Sequence, residues 1–169
     1  EQGHGPIFEA ASTGKHALVE ACLRIGVDKD GKGRHGETPL MKAAKNGHLS
    51  VANILIGAGA DVNTKAYGYP YPKRSGFQGY TALHWASDRG HGNLAVELLR
   101  AGARIDAECS SGETPLLRAV RHNHLSVAND LLNLGADATV SSKKRETALC
   151  HANKWANPEI VQALLRHGA

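Results

Sequence analysis

Short apolar runs of helical period recur along the chain, and each is only two or three turns long. In the stretch 80–103, a first run ends at a Gly-His pair at 90–91, and a second run carries Leu94, Leu98 and Leu99 before a Gly-Ala pair. Helices this short do not bury an apolar face on their own. The pattern therefore predicts pairs of short helices that stack on neighbouring pairs.

The same pattern returns at regular intervals, and this periodicity indicates a repeat architecture. A Thr followed by Pro or Ala and then by Leu begins at 38, 81, 114 and 147, with spacings of 43, 33 and 33 residues. A degenerate first unit starts near Gly5. We expect a single domain over 1–169, with units at about 1–32, 33–64, 76–108, 109–141 and 142–169 and an insertion at about 65–76.

The motifs Gly-x-Thr-Pro-Leu, Gly-His and Gly-Ala at fixed offsets resemble those of ankyrin repeats over essentially the whole chain. The resemblance implies an all-α solenoid of stacked helix-turn-helix units, with turn or hairpin loops on one side. The local chemistry agrees, since Thr38 is suited to cap a helix and Pro39 to occupy its first position. Glycines that end the second helices are suited to a left-handed backbone: Gly59, Gly102 and Gly135.

Two units depart from the repeat pattern, and the chain ends on an apolar helix. Asn123 stands at the turn glycine of the fourth unit, where Asn tolerates the same backbone region. We expect the turn at 155–158 in the fifth unit to differ in shape. The apolar residues of 160–165 are typical of an internal unit, so we expect further repeats or a partner beyond it.

Composition excludes several classes of protein. No apolar stretch approaches a membrane span, and three cysteines without a C-x-x-C motif favour a reducing compartment, the cytoplasm or the nucleus. Most of the ten histidines occupy repeated offsets, so we expect no metal and no cofactor. Without a phosphate loop or a nucleophile elbow we expect no enzyme, and a net charge of +4 is too mild to indicate nucleic acid.

The ten-residue insertion contains or adjoins all four tyrosines of the chain, which fall between Tyr67 and Tyr80. Its prolines and glycines exclude a helix, so we expect an extended loop on the turn side of the stack. Two interpretations stay open. The loop is a tolerated surface insertion that packs on its own base, or it is an aromatic contact finger that presents Tyr69 and Tyr71 to a partner.

The concave face of an ankyrin-like stack, formed by turn tips and first helices, is the expected binding surface. Here it is rich in basic and aromatic residues, although such a face can equally be a solvated charged surface. We predict partner-binding residues at Arg34, His35, Lys45, Tyr69, Tyr71, Phe77, Tyr80, Trp85, Asp88, Arg89, Arg118, Arg121, His122, Lys154 and Trp155. Six of these are the expected anchors: Tyr80, Trp85, Arg89, Arg118, Arg121 and Trp155.

The sequence favours a non-catalytic module that binds an acidic or phosphorylated peptide or protein surface, because Arg and Lys pair with such groups. Two alternatives remain: a module that binds a small ligand or an oligonucleotide, and a structural spacer for an adjoining catalytic or sensor domain. Asn63 lies in a pattern that is hydroxylated in some ankyrin proteins, or it simply supports its turn.

Overall fold

The computed structural model of the protein describes residues 5–67 and 77–169. The helices in these two ranges are α1 (Pro6–Thr13), α2 (His16–Arg24), α3 (Pro39–Asn46), α4 (Leu49–Gly57), α5 (Ala82–Arg89), α6 (Gly92–Arg100), α7 (Pro115–Arg121), α8 (Leu125–Asn133), α9 (Ala148–Lys154) and α10 (Pro158–Arg166). Each odd-numbered helix packs on the next odd-numbered one, and each even-numbered helix on the next even-numbered one. The predicted all-α solenoid is confirmed.

Threonine caps begin the first helices of the second to fifth units. The side-chain oxygen of Thr38 accepts a hydrogen bond from the backbone N–H of Met41, and the equivalent threonines of α5, α7 and α9 do the same. Each cap satisfies a backbone donor that has no partner within its helix. Pro39 and Pro115 occupy first helical positions, as predicted.

The turn within each unit contains one residue with a left-handed backbone. Gly14, Gly47 and Gly90 have φ of 75–76° at this place, and Asn123 takes it over with φ 59°. In the fifth unit Ala156 adopts φ 48°. The fifth turn thus keeps the left-handed residue of the others, although an alanine stands there.

A hydrogen bond from the turn of one unit to the carbonyl of the preceding unit ties neighbouring units together. The imidazole Nε2 of His48 lies 2.9 Å from the carbonyl oxygen of Ser12, and that of His124 lies 3.0 Å from the carbonyl of Asp88. The fifth unit has no histidine at this place. There Trp155 supplies the link, since its indole N–H donates to the carbonyl of Arg121 at 2.8 Å.

The core runs along the stack between the two helix layers. Alanines such as Ala43, Ala44 and Ala119 are fully buried where first helices approach one another, and leucines such as Leu55 and Leu98 fill the space to the second helices. Small residues in one layer let the helices approach closely, while the larger side chains supply the buried apolar area. This apolar contact between units is what holds helices of only seven to nine residues in place.

The insertion lies inside the turn tip between the second and third units. In other units the tip is closed by a bond between residues four apart, such as Gly33 N–H to the carbonyl of Glu37 at 2.9 Å. In the third unit the N–H of Ala66 donates to the carbonyl of Tyr80 at 2.8 Å, across ten more residues. The extra residues therefore leave the closing bond intact. Tyr69 and Tyr71, predicted as contact residues, lie outside the described residues.

Candidate functional site

Three equivalent positions of each unit form the surface that we call the first-helix face. They lie one residue before the cap threonine, four residues after it and seven residues after it. The last two positions fall on the same side of the helix. From the second to the fifth unit the residues are Glu37, Lys42 and Lys45; Tyr80, Trp85 and Asp88; Glu113, Arg118 and Arg121; and Glu146, His151 and Lys154.

Three of these four sets form ion pairs around the glutamate that precedes the cap. The pairs are Glu37 with Lys42 at 2.6 Å, Glu113 with Arg118 at 3.1 Å and with Arg121 at 2.5 Å, and Glu146 with Lys154 at 3.2 Å. The imidazole Nε2 of His151 lies 3.7 Å from the Glu146 carboxylate. The glutamates, which are not among the predicted partner-binding residues, thus organise the face. Comparing equivalent positions of the repeats is the sequence signal that points to this role.

The third unit carries aromatic residues where the other units have charges. The rings of Phe77 and Trp85 have centroids 4.6 Å apart, and Tyr80 lies 5.3 Å from Phe77 and 5.2 Å from Trp85. Lys45 of the preceding unit places its ammonium 4.4 Å from the Trp85 ring centroid, a cation–π contact. Partial burial lowers the pKa of Lys45, although the Glu37 carboxylate acts in the opposite direction.

Four predicted contact residues are buried, so the expectation that they project from the surface is wrong. The exposed fraction is 0% for Tyr80, 1% for Trp85, 7% for Asp88 and 8% for Arg118. The aromatic pair is covered because it packs with Phe77 at the foot of the insertion and under Lys45. Burial also raises the pKa of the Tyr80 hydroxyl, which therefore stays protonated.

Arg118 is buried because two carboxylates surround its guanidinium. It donates to Asp88 of the preceding unit through both Nε, at 2.9 Å, and Nη2, and to Glu113 of its own unit at 3.1 Å. Its guanidinium carbon lies 5.3 Å from the Tyr80 ring centroid. Burial alone would raise the pKa of Glu113, but Arg118, Arg121 and the Ser111 hydroxyl together lower it below its usual value. This ion cluster joins the third and fourth units.

The remaining described contact residues are at least partly accessible. Side-chain exposure is 48% for Arg89, 43% for Arg121, 42% for His122 and 62% for Lys154. The other accessible positions comprise exposed Arg34 and Trp155 and half-buried His35, Lys45 and Phe77. A row of basic side chains therefore runs over four successive units: Lys45, Arg121 and Lys154 occupy positions of the face, and Arg89 follows the face residue Asp88 directly.

Two cavities open on the first-helix face. One has a volume of about 330 Å³ and is lined by Arg121, Glu146, His151, Lys154 and Trp155. The other has a volume of about 270 Å³ and is lined by Phe77, Gln78, Ser110, Ser111, Glu113, Arg118 and Arg121. The first cavity includes His151, which sequence reasoning missed because its neighbours lack the spacing of a metal site.

Asn63 joins two units through its side-chain amide. Its Nδ2 donates to the carbonyl of Gly102 at 3.0 Å, and its Oδ1 accepts from the N–H of Arg104 at 2.9 Å. The residue thus has the supporting role that the sequence allowed for it. Its hydroxylation stays a prediction.

Three further findings concern the cysteines, metal binding and membrane spans. Cys22, Cys109 and Cys150 are all free thiols. Over residues 5–67 and 77–169, no group of three or more His, Cys, Asp or Glu side chains is arranged to hold a metal ion. In those same ranges, no helix combines the length and the apolar character that crossing a membrane requires.

Comparison with known proteins identifies the family. The chain matches the family model for ankyrin repeats (3 copies) over residues 1–66 and 69–142, and it belongs to the ankyrin-repeat family. Ankyrin repeats generally act as protein–protein interaction modules and are typically non-catalytic. The fold inferred from the repeat motifs is therefore confirmed, and protein–protein interaction is the general function of this family.

Similar curated proteins are considerably longer than this chain. It is 30% identical over 156 residues to the "Ankyrin repeat and KH domain-containing protein mask-1" of Caenorhabditis elegans, covering 92% of this chain and 6% of that protein. Inversin of Canis lupus familiaris is 32% identical over 164 residues, which cover 95% of this chain and 14% of that protein. "Ankyrin repeat and SOCS box protein 16" of Homo sapiens is 30% identical over 175 residues, which cover 99% of this chain and 37% of that protein. The chain spans less than half the length of each.

Proposed function

We propose that the protein is a non-catalytic module that binds an acidic or phosphorylated segment of another protein along its first-helix face. The observation that carries this proposal is the basic row Lys45, Arg89, Arg121 and Lys154, which places one cation on each of four successive units. Cations on a rigid scaffold attract and orient an anionic partner.

The spacing of the basic row sets the register of the partner. First helices pack directly on one another along the stack, and packed helices lie about 8–10 Å apart. An extended chain advances about 3.3 Å per residue. Three residues of an extended peptide therefore match one unit, and acidic residues at every third position meet successive cations.

The charges of the first-helix face favour an anionic partner although the face also contains carboxylates. The carboxylates beside the central cations are covered, since the side chains of Asp88 and Glu113 are each 6% exposed and both contact buried Arg118. Arg89 and Arg121 remain 48% and 43% exposed. A partner therefore meets the cations more than the carboxylates.

Two fluorescent peptides of equal composition test the proposal by anisotropy titration. One has Glu or phosphoserine at every third position, and the other has the same residues in one block. We expect tighter binding of the first peptide and a loss of affinity with added salt. Replacing Lys45 and Arg89 together by Gln should weaken binding by about tenfold, since an exposed charge pair contributes up to about 1 kcal/mol.

Arg24 and Arg166 provide the matched control, because both are exposed arginines in second helices, α2 and α10. Replacing them together by Gln removes the same net charge without touching the first-helix face. Equal weakening by the two double substitutions would reduce the effect to net charge and contradict the proposal. An affinity that changes neither with added salt nor with the Lys45 and Arg89 substitutions would contradict the proposal as well.

We also propose that the protein is located inside the cell. Free thiols, one of them the exposed Cys150, suit the reducing cytoplasm or nucleus. Because the similar proteins are longer, adjoining domains of the same chain are further candidates for contact with this module. Fractionation of cells that express the full-length protein, followed by immunoblotting, tests the compartment.

A further inference from the structure

The cavity between the fourth and fifth units contains a polar nitrogen that lacks a partner. His151 is 4% exposed, and its Nε2 is buried without a hydrogen bond among the described residues. The nearest carboxylate oxygen, Oε2 of Glu146, lies 3.7 Å away, which is beyond hydrogen-bond distance. A buried polar atom without a partner is unfavourable, and a ligand group that reaches it would be held there.

The other polar groups of this cavity supply hydrogen-bond donors and a net positive charge. Arg121 uses one of its five N–H donors on Glu113, and Lys154 uses one of three on Glu146. Burial lowers the pKa of His151 against the opposing effect of Glu146, so the imidazole is neutral at pH 7. Two cations and one carboxylate therefore leave the cavity with a charge of +1, and the unused N–H groups of Arg121 and Lys154 are donors.

Trp155 provides a flat apolar wall beside these donors. Its indole N–H donates to the carbonyl of Arg121, which fixes the ring, while the side chain stays 54% exposed. A fixed, accessible indole is suited to stack on another ring or on an apolar side chain. The cavity volume of about 330 Å³ lies at the lower end of the range for ligand pockets.

We propose that the cavity formed by Arg121, Glu146, His151, Lys154 and Trp155 is an anchor subsite for one anionic side chain, a carboxylate or a phosphate monoester, that carries a flat or apolar group next to the charge. The anion is held by Arg121, Lys154 and, in the tautomer that carries its proton on Nε2, His151, and the apolar group lies on Trp155. As a subsite of the proposed peptide surface it rests on the proposed function, and it fixes where the end of an acidic segment binds.

Phenylacetate and phenyl phosphate are the probes, because each combines a ring with one of the two anions. The readout is the pair of indole N–H signals in the ¹H–¹⁵N spectrum of the full 169-residue chain. We expect the Trp155 signal to shift and the buried Trp85 signal to stay in place. For ligands of this size we expect a dissociation constant on the order of 1 mM. The probe that binds more tightly identifies the anion, and benzyl alcohol, which lacks a charge, should give no shift.

Lys154→Gln and His151→Phe should each weaken probe binding by about tenfold, the effect of losing one hydrogen bond to a charged group. Lys144→Gln is the matched control, because Lys144 is an exposed lysine of the same unit outside the cavity. Since His151 is buried, a far-UV circular dichroism melt checks that its variant folds. If His151→Phe unfolds, exposed Lys154 alone decides the test.

A Trp155 signal that stays in place with both probes would overturn the proposal. A shift that Lys154→Gln and His151→Phe leave unchanged would overturn it too, because the probe would then only stack on the indole. The acidic peptide separates this result from the proposed function. If the peptide binds without moving the Trp155 signal, the subsite fails and the peptide surface stands; if the probes bind and the peptide does not, the reverse holds.

Discussion

Replacing Arg118 by Met tests whether the buried ion cluster stabilises the junction between the third and fourth units. The Arg118 side chain is 10% exposed, and its guanidinium donates to Asp88 and Glu113, whose side chains are each 6% exposed. Methionine keeps most of the length and apolar volume of arginine but removes its charge and donors. Two buried carboxylates would then lose the cation that they share.

The loss of stability expected for Arg118→Met depends on which cationic partners each carboxylate retains. Removing one partner of a buried ion pair costs about 3–5 kcal/mol. Glu113 retains Arg121 at 2.5 Å, and Asp88 retains Arg89 at 3.4 Å, and both of these arginines are nearly half exposed. We therefore expect Arg118→Met to lower the free energy of unfolding by about 2–3 kcal/mol, below the full cost of an unpaired buried charge.

Urea unfolding monitored by circular dichroism at 222 nm measures this difference. With a slope of about 2 kcal/mol per molar urea, the midpoint should fall by about 1–1.5 M. Arg121→Met is the matched control in the same helix, and because Arg121 is 43% exposed it should cost less than about 1 kcal/mol. Equal losses for the two variants, or a loss below about 0.5 kcal/mol for Arg118→Met, would refute the assignment of a buried cluster.

The pH dependence provides a second check on Arg118. The pKa of Glu113 is lowered in the folded protein, so its contribution is fully present above its ordinary value of 4.5 and is lost as the pH falls through the lowered value. Once Glu113 is protonated, the missing guanidinium matters less. The stability difference between wild type and Arg118→Met should therefore shrink between neutral pH and about pH 3.

Three further predictions concern single residues. Trp155→Phe loses the bond to the Arg121 carbonyl and should cost about 1 kcal/mol in urea unfolding. Gly90→Ala should lower the melting temperature more than Gly102→Ala; both have positive φ, but only at Gly90 would a Cβ meet an imidazole nitrogen at 2.6 Å. Burial lowers the pKa of His84 to about 4. Its contribution to the free energy of unfolding should therefore be fully present above pH 6.5 and fall by about 3 kcal/mol toward pH 4. The variant His84→Gln, which has no imidazole to protonate, should lack this decrease.

Local chemistry made most of the fold predictable from the sequence. Thr38 caps α3 and Gly102 adopts φ 89° because each obeys a rule that depends only on nearby backbone. His84 bonds to Thr81 of its own unit and to the carbonyl of Glu113 in the next. Repetition then placed these local elements in a stack, since every unit must cover its neighbour.

Exposure on the first-helix face was harder to predict, because it depends on contacts across units. Trp85 has the helical position that carries Lys42 and Arg118 in other units, so position alone indicated a surface residue. Its burial comes from Phe77, which follows the insertion, and from Lys45 of the unit before. A periodic pattern specifies which side of a helix a residue occupies, but it does not specify which side chains of a neighbouring unit cover that residue.

The third unit shows why binding and stability must be measured separately on this face. Tyr80 replaces the glutamate that anchors the ion pairs of other units, and the carboxylate moves to Asp88, where it reaches Arg118 of the next unit. The aromatic pair and this cluster meet at the Arg118–Tyr80 contact. An alanine at Trp85 would therefore weaken the junction between units before it removed any contact with a partner. Loss of binding in that variant would report unfolding, whereas replacing Arg89, which is 48% exposed at the edge of the same cluster, should affect stability much less.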